Sequence, residues 1–347
     1  MKHFTPLSIL LFTLASCSSQ PLAPQPQPGQ DPADNLPPHI TCLTFFGERA
    51  DFSHDGKRIL FVEKTYGDVY EVEIATRIIR PITHHYHHEG YVRALYLPNG
   101  DILLSGAKSF NADDPGPARW RDPELWVLDK SLKKKPVPLG TKCSEGPAVS
   151  RTKMRIAYTL TDGLYPDRLQ KGQSQIWTAD IDYTNGPPKL VNKKLALDST
   201  ALPFKCTLEC QNFRPKDESE LTFSAYGYQG TEVMGVNLQT GKVTNYSVAP
   251  VQYDEPEGIF PDGQYTLVEC DKQNLKGAGH IDIWKLRLDG SGQTTRLTHF
   301  SDYPGFKASN PVVSDDGRFI AFQLAKSTDQ AGVGYGIFLY DLTKEKK

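Results

Sequence analysis

Two stretches near the end of the chain decide the fold: Ile283-Trp284-Lys285-Leu286-Arg287-Leu288-Asp289-Gly290-Ser291-Gly292-Gln293-Thr294-Thr295-Arg296-Leu297-Thr298, and Ser314-Asp315-Asp316-Gly317-Arg318-Phe319-Ile320-Ala321-Phe322. In the first, Trp284, Leu286 and Leu288 alternate with Lys285 and Arg287. A period of two is the signature of a β-strand with one buried face. Asp289-Gly290 then supplies a turn, and Thr295-Arg296-Leu297-Thr298 a further short strand. In the second stretch an Asp-Gly turn leads into a continuous apolar run, as a strand covered on both faces requires.

The pattern recurs through the chain. Val69-Tyr70, Leu125-Trp126, Ile176-Trp177, Val233-Met234, Ile283-Trp284 and Ile337-Phe338 are doublets of an aliphatic and a large side chain, spaced 50 to 57 residues apart between first members. Ahead of most of them stands a turn followed by an apolar strand: Asp55-Gly56 before Ile59-Leu60-Phe61, Asn99-Gly100 before Ile102-Leu103-Leu104, Asp262-Gly263 before Tyr265-Thr266-Leu267, and Asp316-Gly317 before Phe319-Ile320-Ala321. The third and fourth copies lack the turn glycine (Ser150-Arg151-Thr152-Lys153 and Arg214-Pro215-Lys216-Asp217) but keep the strand after it. Each unit thus offers four short strands. Six such units predict an all-β fold, a six-bladed β-propeller of four-stranded antiparallel blades. The sixth unit stops after its doublet strand, at Asp341-Leu342-Thr343-Lys344, and Ile40-Thr41-Cys42-Leu43-Thr44-Phe45 reads as an orphan outer strand. Residues 40–46 are therefore expected to complete the last blade, which removes two open sheet edges.

These units resemble the TolB-like, WD40-like propeller repeat known as PD40, over about residues 40–343. The resemblance implies the propeller fold and leaves function open, because the repeat serves binding proteins and some enzymes alike. TolB carries an α/β domain ahead of its propeller. A Pro-rich stretch fills that place here, so the chain is similar to a TolB-like lipoprotein rather than to TolB itself.

The start of the chain points to the cell envelope. Lys2 precedes the short apolar run Leu7–Leu14, too short to span a bilayer and shaped like a secretory signal. It ends in Leu14-Ala15-Ser16-Cys17, which resembles the lipobox of bacterial lipoproteins. That resemblance implies cleavage before Cys17 and lipidation of Cys17, with acyl chains contributing about 0.8 kcal/mol per buried methylene to membrane attachment. Ser18, where an inner-membrane retention signal would place Asp, favours the outer membrane by the sorting rule of enteric bacteria. Residues 1–16 are thus expected to be a signal peptide, 17–38 a lipidated Cys and Pro-rich tether, and 39–347 the propeller.

The bulk composition narrows partners. The formal net charge of −2 gives no basic field, which argues against nucleic acid. No Gly-x-Ser-x-Gly elbow, His-Glu-x-x-His helix or phosphate-binding glycine loop is present, and no cofactor is expected.

Four features carry site hypotheses. Glu48, Glu145, Glu209 and Glu255 each stand eight residues before the fourth turn position, and Glu89 (shifted upstream) and Ser309 stand near the equivalent place in the other units. They are expected to gather at one mouth of the central channel, either as an acidic collar for a cation or basic peptide or as structural locks between blades; recurrence in most units favours the lock. Trp120, Tyr165 and Arg168 lie in the longer loops of the second and third units and are candidate recognition anchors. His84, His85, His87 and His88 form the one local cluster with metal-ligating chemistry, for which a solvated connector is the better reading. Oligogalacturonate lyases, which share the repeat, are similar in using His-bound metal, but with ligands from several blades. Cys42, Cys143, Cys206, Cys210 and Cys270 follow Cys17; an oxidising compartment would permit disulfides, the odd count leaves at least one cysteine unpaired, and for Cys206 and Cys210, the nearest pair, a buried free thiol is the better reading. The leading functional expectation is a lipid-anchored envelope propeller that binds a protein or peptide partner without catalysis. The alternative is a carbohydrate-active lyase or hydrolase with its site at a propeller mouth.

Overall fold

The computed structural model describes Met1 and residues 26–344. Cys17 and residues 2–16, expected to form a signal peptide, lie outside the described residues. Twenty-four strands form six four-stranded antiparallel sheets. The first strand, β1 (Ile40–Cys42), belongs to the last blade, and β2 (Glu48–Phe52), β3 (Arg58–Val62), β4 (Val69–Glu73) and β5 (Ile79–Pro81) build blade one. Blade two is β6 (Arg93–Tyr96), β7 (Ile102–Ala107), β8 (Pro123–Leu128) and β9 (Val137–Lys142), with the short helix α1 (Gly116–Trp120) in its β7–β8 connection. Blade three is β10 (Ala148–Val149), β11 (Arg155–Thr161), β12 (Ser174–Asp182) and β13 (Lys189–Asp198). Blade four is β14 (Thr207–Phe213), β15 (Glu220–Tyr226), β16 (Thr231–Asn237) and β17 (Val243–Asn245), and blade five is β18 (Asp254–Ile259), β19 (Tyr265–Cys270), β20 (Asp282–Arg287) and β21 (Thr294–Arg296). Blade six is β22 (Phe306–Val313), β23 (Phe319–Lys326) and β24 (Ile337–Asp341), completed by β1.

All six doublets fall on the third strand of their blade, as the alternation predicts. The turn before each second strand explains the Asp-Gly signal. At Gly56, φ is 67°, and its N–H donates to Ser53 O at 2.8 Å while the Ser53 hydroxyl donates to Asp55 at 2.6 Å. Blade six repeats this arrangement, with φ 71° at Gly317 and Ser314 Oγ donating to Asp316 at 2.7 Å. A side chain at that φ is strained, which is why glycine occupies it.

The ring closes as expected. Ile40 pairs with Tyr340, Thr41 with Leu339 and Cys42 with Phe338. The regular strand ends at Cys42, and residues beyond it hold on through single contacts: the Leu43 N–H donates to Ile337 O at 2.8 Å, and Thr44 Oγ1 accepts from the Ile337 N–H at 2.9 Å. Ile40 and Leu43 are buried. Together they stabilise the closed ring by roughly 3–6 kcal/mol, at about 1.5–3 kcal/mol per buried aliphatic side chain.

Strand direction defines two mouths. The inner strands β2, β6, β10, β14, β18 and β22 all begin at the first mouth and end at the second. β1 runs antiparallel to β24, so residues 26–39 approach from the second-mouth face, where the His39 carbonyl accepts from the Asp341 N–H at 2.8 Å. Among the described residues no helix is long and apolar enough to cross a membrane.

Candidate functional site

A cavity of about 320 Å³ opens at the first mouth. Glu145, Glu209 and Glu255, from three different blade junctions, line it as the sequence spacing suggested. Glu48 does not. Arg49 adopts a left-handed φ of 55° and the β2–β3 register slips between Glu48 and Asp51. Arg49 enters the cavity, while Glu48 is fully buried and accepts from Thr65 Oγ1 at 2.8 Å. Glu89 stays outside the lining and pairs with His87 at 3.1 Å, and Ser309 lines the cavity.

The spacing argument missed as many residues as it found. Glu257 sits two positions beyond Glu255 on β18, hence on the same face, and Glu269 is the cross-strand partner of Glu255. Period two along Glu255-Pro256-Glu257 was a usable signal for Glu257. Arg93 and Asn310 each stand seven residues before the glycine of their turn, Gly100 and Gly317, as Arg49 does before Gly56, a spacing the argument left unused; Arg119, Tyr226 and Tyr253 carry no such signal.

Charges in the cavity divide into two groups. Glu145 is saturated: Arg49 Nη2 and Arg119 Nη2 each donate to it at 2.7 Å. Burial alone would raise its pKa, but the two guanidinium groups outweigh burial and hold it down at about 2. Arg49 also donates to Val92 O at 2.6 Å, and Arg119 to Ala331 O, so this cluster ties blades one, two and six together over the opening. The loop carrying Ala331 is pinned further by the Thr65 N–H, which donates to Gly332 O at 2.9 Å.

The other four glutamates are short of positive charge. Among the described residues no cation lies within ion-pair distance of Glu209, Glu255 or Glu269; Glu257 has Arg93 Nη2 at 3.6 Å. Neutral donors stand in. The Tyr226 hydroxyl lies 3.0 Å from Glu209 and also contacts Glu255, and Tyr253 contacts Glu255 as well. Asn310 donates from its backbone N–H to Glu269 at 2.5 Å and from its side chain to Glu257 at 3.1 Å. A tyrosine has one proton to give, so Tyr226 satisfies two carboxyl groups only if one of them is itself protonated. The electrostatics agree. Burial, then Glu255, Glu145 and Glu257, push Glu209 up to about 8. Burial pushes Glu257 up to about 8 against the pull of Arg93, and burial followed by Glu255 pushes Glu269 up to about 7.

Of the loop candidates, Trp120 is 51% exposed and lines a shallow groove with Glu145, Glu209, Tyr226 and Asp162, contiguous with the cavity. Tyr165 and Arg168 lie outside it. Arg168 stacks 4.9 Å over the Tyr165 ring, and the Tyr165 hydroxyl accepts from the Lys142 N–H at 3.0 Å. The histidines do not converge. His84 and His85 are exposed, His87 faces Glu89, and His88 uses both ring nitrogens, one 2.9 Å from Asp68 and the other accepting from the Gly90 N–H at 2.9 Å. Among the described residues no three His, Cys, Asp or Glu side chains are grouped as a metal ion would need. The five cysteines from Cys42 onward are free thiols.

At the second mouth a separate cavity of about 340 Å³ is walled largely by the ends of the inner strands, including Val149, Phe213, Ile259 and Val313. Its Asp51 and Asp315 carboxyl groups each meet a cation. Arg151 reaches from blade three across the channel to Asp315 at 2.7 Å and Asp51 at 3.3 Å, and donates to Phe52 O at 2.9 Å. His54 Nδ1 lies 2.8 Å from Asp315. Arg93 and Glu257 line both cavities and form the partition between them.

No family model and no curated protein matches the chain. Solved structures do. A TolB structure from Agrobacterium tumefaciens superposes with a TM-score of 0.52 at 17% identity, covering 78% of this chain and 95% of that one. A gluconolactonase from Xanthomonas campestris gives 0.57 at 13% identity, covering 94% and 99%. An oligogalacturonate lyase from Vibrio parahaemolyticus gives 0.50 at 12%, covering 90% and 93%. At these identities the likeness is one of fold: the chain has the architecture of the TolB-like propellers.

Proposed function

We propose that this propeller is a lipid-anchored envelope protein, attached through Cys17 and held most naturally at the outer membrane, that binds a protein or peptide partner at its first mouth. The observation that carries the reading is the exposed Trp120 indole beside the carboxyl groups of Glu145 and Glu209. A half-exposed tryptophan bordering a charged recess is the usual make-up of an interface anchor. The tether joins the disc on its second-mouth face, which would leave the first mouth turned away from the lipid. Likeness to TolB in fold agrees with a binding role. A photoreactive residue at Asp113, on the same loop as Trp120, should crosslink a discrete partner in intact cells, and Trp120→Ala should abolish the adduct. The same probe at Lys216, beside the second mouth, should give none. Adducts from Lys216 alone would sink the proposal. Radiolabelled palmitate should enter the wild-type chain and not Cys17→Ala.

A second reading, a carbohydrate-active lyase or hydrolase, is favoured by one specific observation. Glu145 is held ionised while Glu209, lining the same cavity, is held protonated near neutral pH. A carboxyl group kept protonated up to neutral pH can serve as a general acid, and the lactonase and lyase likenesses are compatible with it. Turnover of uronate polymers or sugar lactones that is lost in Glu209→Gln would establish this reading in place of the first.

A further inference from the structure

Arg93 is the least satisfied buried cation in the molecule's centre. Only 8% of the residue is exposed, and its Nε is buried without a hydrogen-bond partner. Its ion-pair contact, to Glu257, is at 3.6 Å, longer than a hydrogen bond. A buried guanidinium left this way costs free energy until an acceptor arrives. Beside it stand Glu209 and Glu255, which lack the opposite charge. A methyl group placed on Gly146 would lie 2.8 Å from Glu209 Oε1 and 3.6 Å from Arg93 Nη2. The under-bonded cation and the uncompensated carboxyl group are therefore neighbours across a residue without a side chain, at the wall of a cavity of about 320 Å³.

We propose that this cavity binds a free α-amino acid, its carboxylate on Arg93 and its ammonium group on Glu209 and Glu255. Anions alone would leave the glutamates without a cation, and amines alone would leave Arg93 unbonded; an ammonium group takes the place of the proton that Glu209 otherwise keeps, which passes to solvent. A zwitterion whose two charged groups share one carbon answers both, and the cavity is at the small end of ligand-site volumes. The polar wall of Tyr226, Tyr253 and Asn310 suits a hydrophilic guest. The inference goes beyond the partner reading and does not depend on it, since a missing crosslink at Asp113 would leave it untouched.

Titration calorimetry on the full chain in detergent tests it, with L-alanine, L-serine and L-arginine as probes and propanoate and propylamine as half-ligands. At least one amino acid should bind at least about tenfold tighter than either half-ligand, a factor equal to about 1.4 kcal/mol. Gly146→Ala should weaken that binding about tenfold or more while keeping a cooperative melting transition, because the added methyl meets Glu209 Oε1 at 2.8 Å and moves that carboxyl group without altering any charge. Arg93→Gln should do the same, and if it fails to fold, Gly146→Ala decides. Saturation by propylamine as tight as by the amino acids, no saturation by any of the three up to millimolar concentration, or wild-type binding in Gly146→Ala would each overturn the proposal.

Discussion

The two mouths of the channel are built from the same six strands and treat charge in opposite ways. At the second, Arg151 finds both Asp315 and Asp51, and His54 shares Asp315. At the first, one glutamate has two arginines and three have none. Matched charges across a ring hold blades in place. Unmatched carboxyl groups in a recess stabilise nothing by themselves, and the fold tolerates them by keeping protons on them. The contrast separates a structural mouth from one available to a ligand.

The largest test removes what both mouths share. Deleting residues 40–46 strips β1 from blade six and should cost on the order of 5 kcal/mol, seen as a steep loss in urea midpoint, from the buried Ile40 and Leu43 and the reopened edge. An unchanged midpoint would mean that the ring does not depend on its closure. Next, Arg151→Ala breaks the matched mouth. It strands Asp51 and Asp315, and a loss of about 2–3 kcal/mol is expected by the same measurement. A loss as small as that of a surface substitution would erase the distinction between the mouths.

The unmatched mouth should behave the other way. Glu209, Glu257 and Glu269 have folded pKa values of about 8, 8 and 7, above an unfolded value near 4.5. Between those limits the folded state holds more protons than the unfolded one, so stability falls as pH rises from about 5 to about 8.5. Glu145, held at about 2, has the reverse effect and withdraws its stabilisation only as pH falls below about 4.5. Melting temperature should therefore peak near pH 5. Glu209→Gln should flatten the decline and raise the melting point at pH 8 by a few degrees, corresponding to about 1 kcal/mol. A large drop instead would restore the reading of these glutamates as blade locks. The smallest effect belongs to Trp120→Ala: its indole is half exposed, so stability should shift by less than about 0.5 kcal/mol while partner adducts vanish.

Glu48 and Glu255 show how far spacing can be trusted. Both stand at the same distance from their turns, yet one is a buried acceptor for Thr65 and the other lines the cavity. Side-chain direction reverses with each residue along a strand, and both ladders slip, between Glu48 and Asp51 and between Pro256 and Ile259, but only the first has a left-handed residue, Arg49, within the slip. A left-handed arginine leaves no mark in a sequence. Glu257, by contrast, stood two residues from Glu255 and was open to the same alternation argument that located the strands. Trp120 was legible as an exposed loop aromatic, whereas the separation of Tyr165 and Arg168 from it depended on how the Tyr165 ring packs at the junction of blades two and three.

What the chain determined unaided was the count of blades, the place of each doublet on its third strand, and closure by its earliest ordered strand. These rest on alternation and turn chemistry, which act between residues a few positions apart. Tertiary structure alone decided which charges meet. Arg151 and Asp315 are 164 residues apart, and Arg119 and Ala331 are 212 apart. Only closing the ring brings such positions within a hydrogen bond, and only there is it settled which carboxyl groups acquire a cation and which keep a proton.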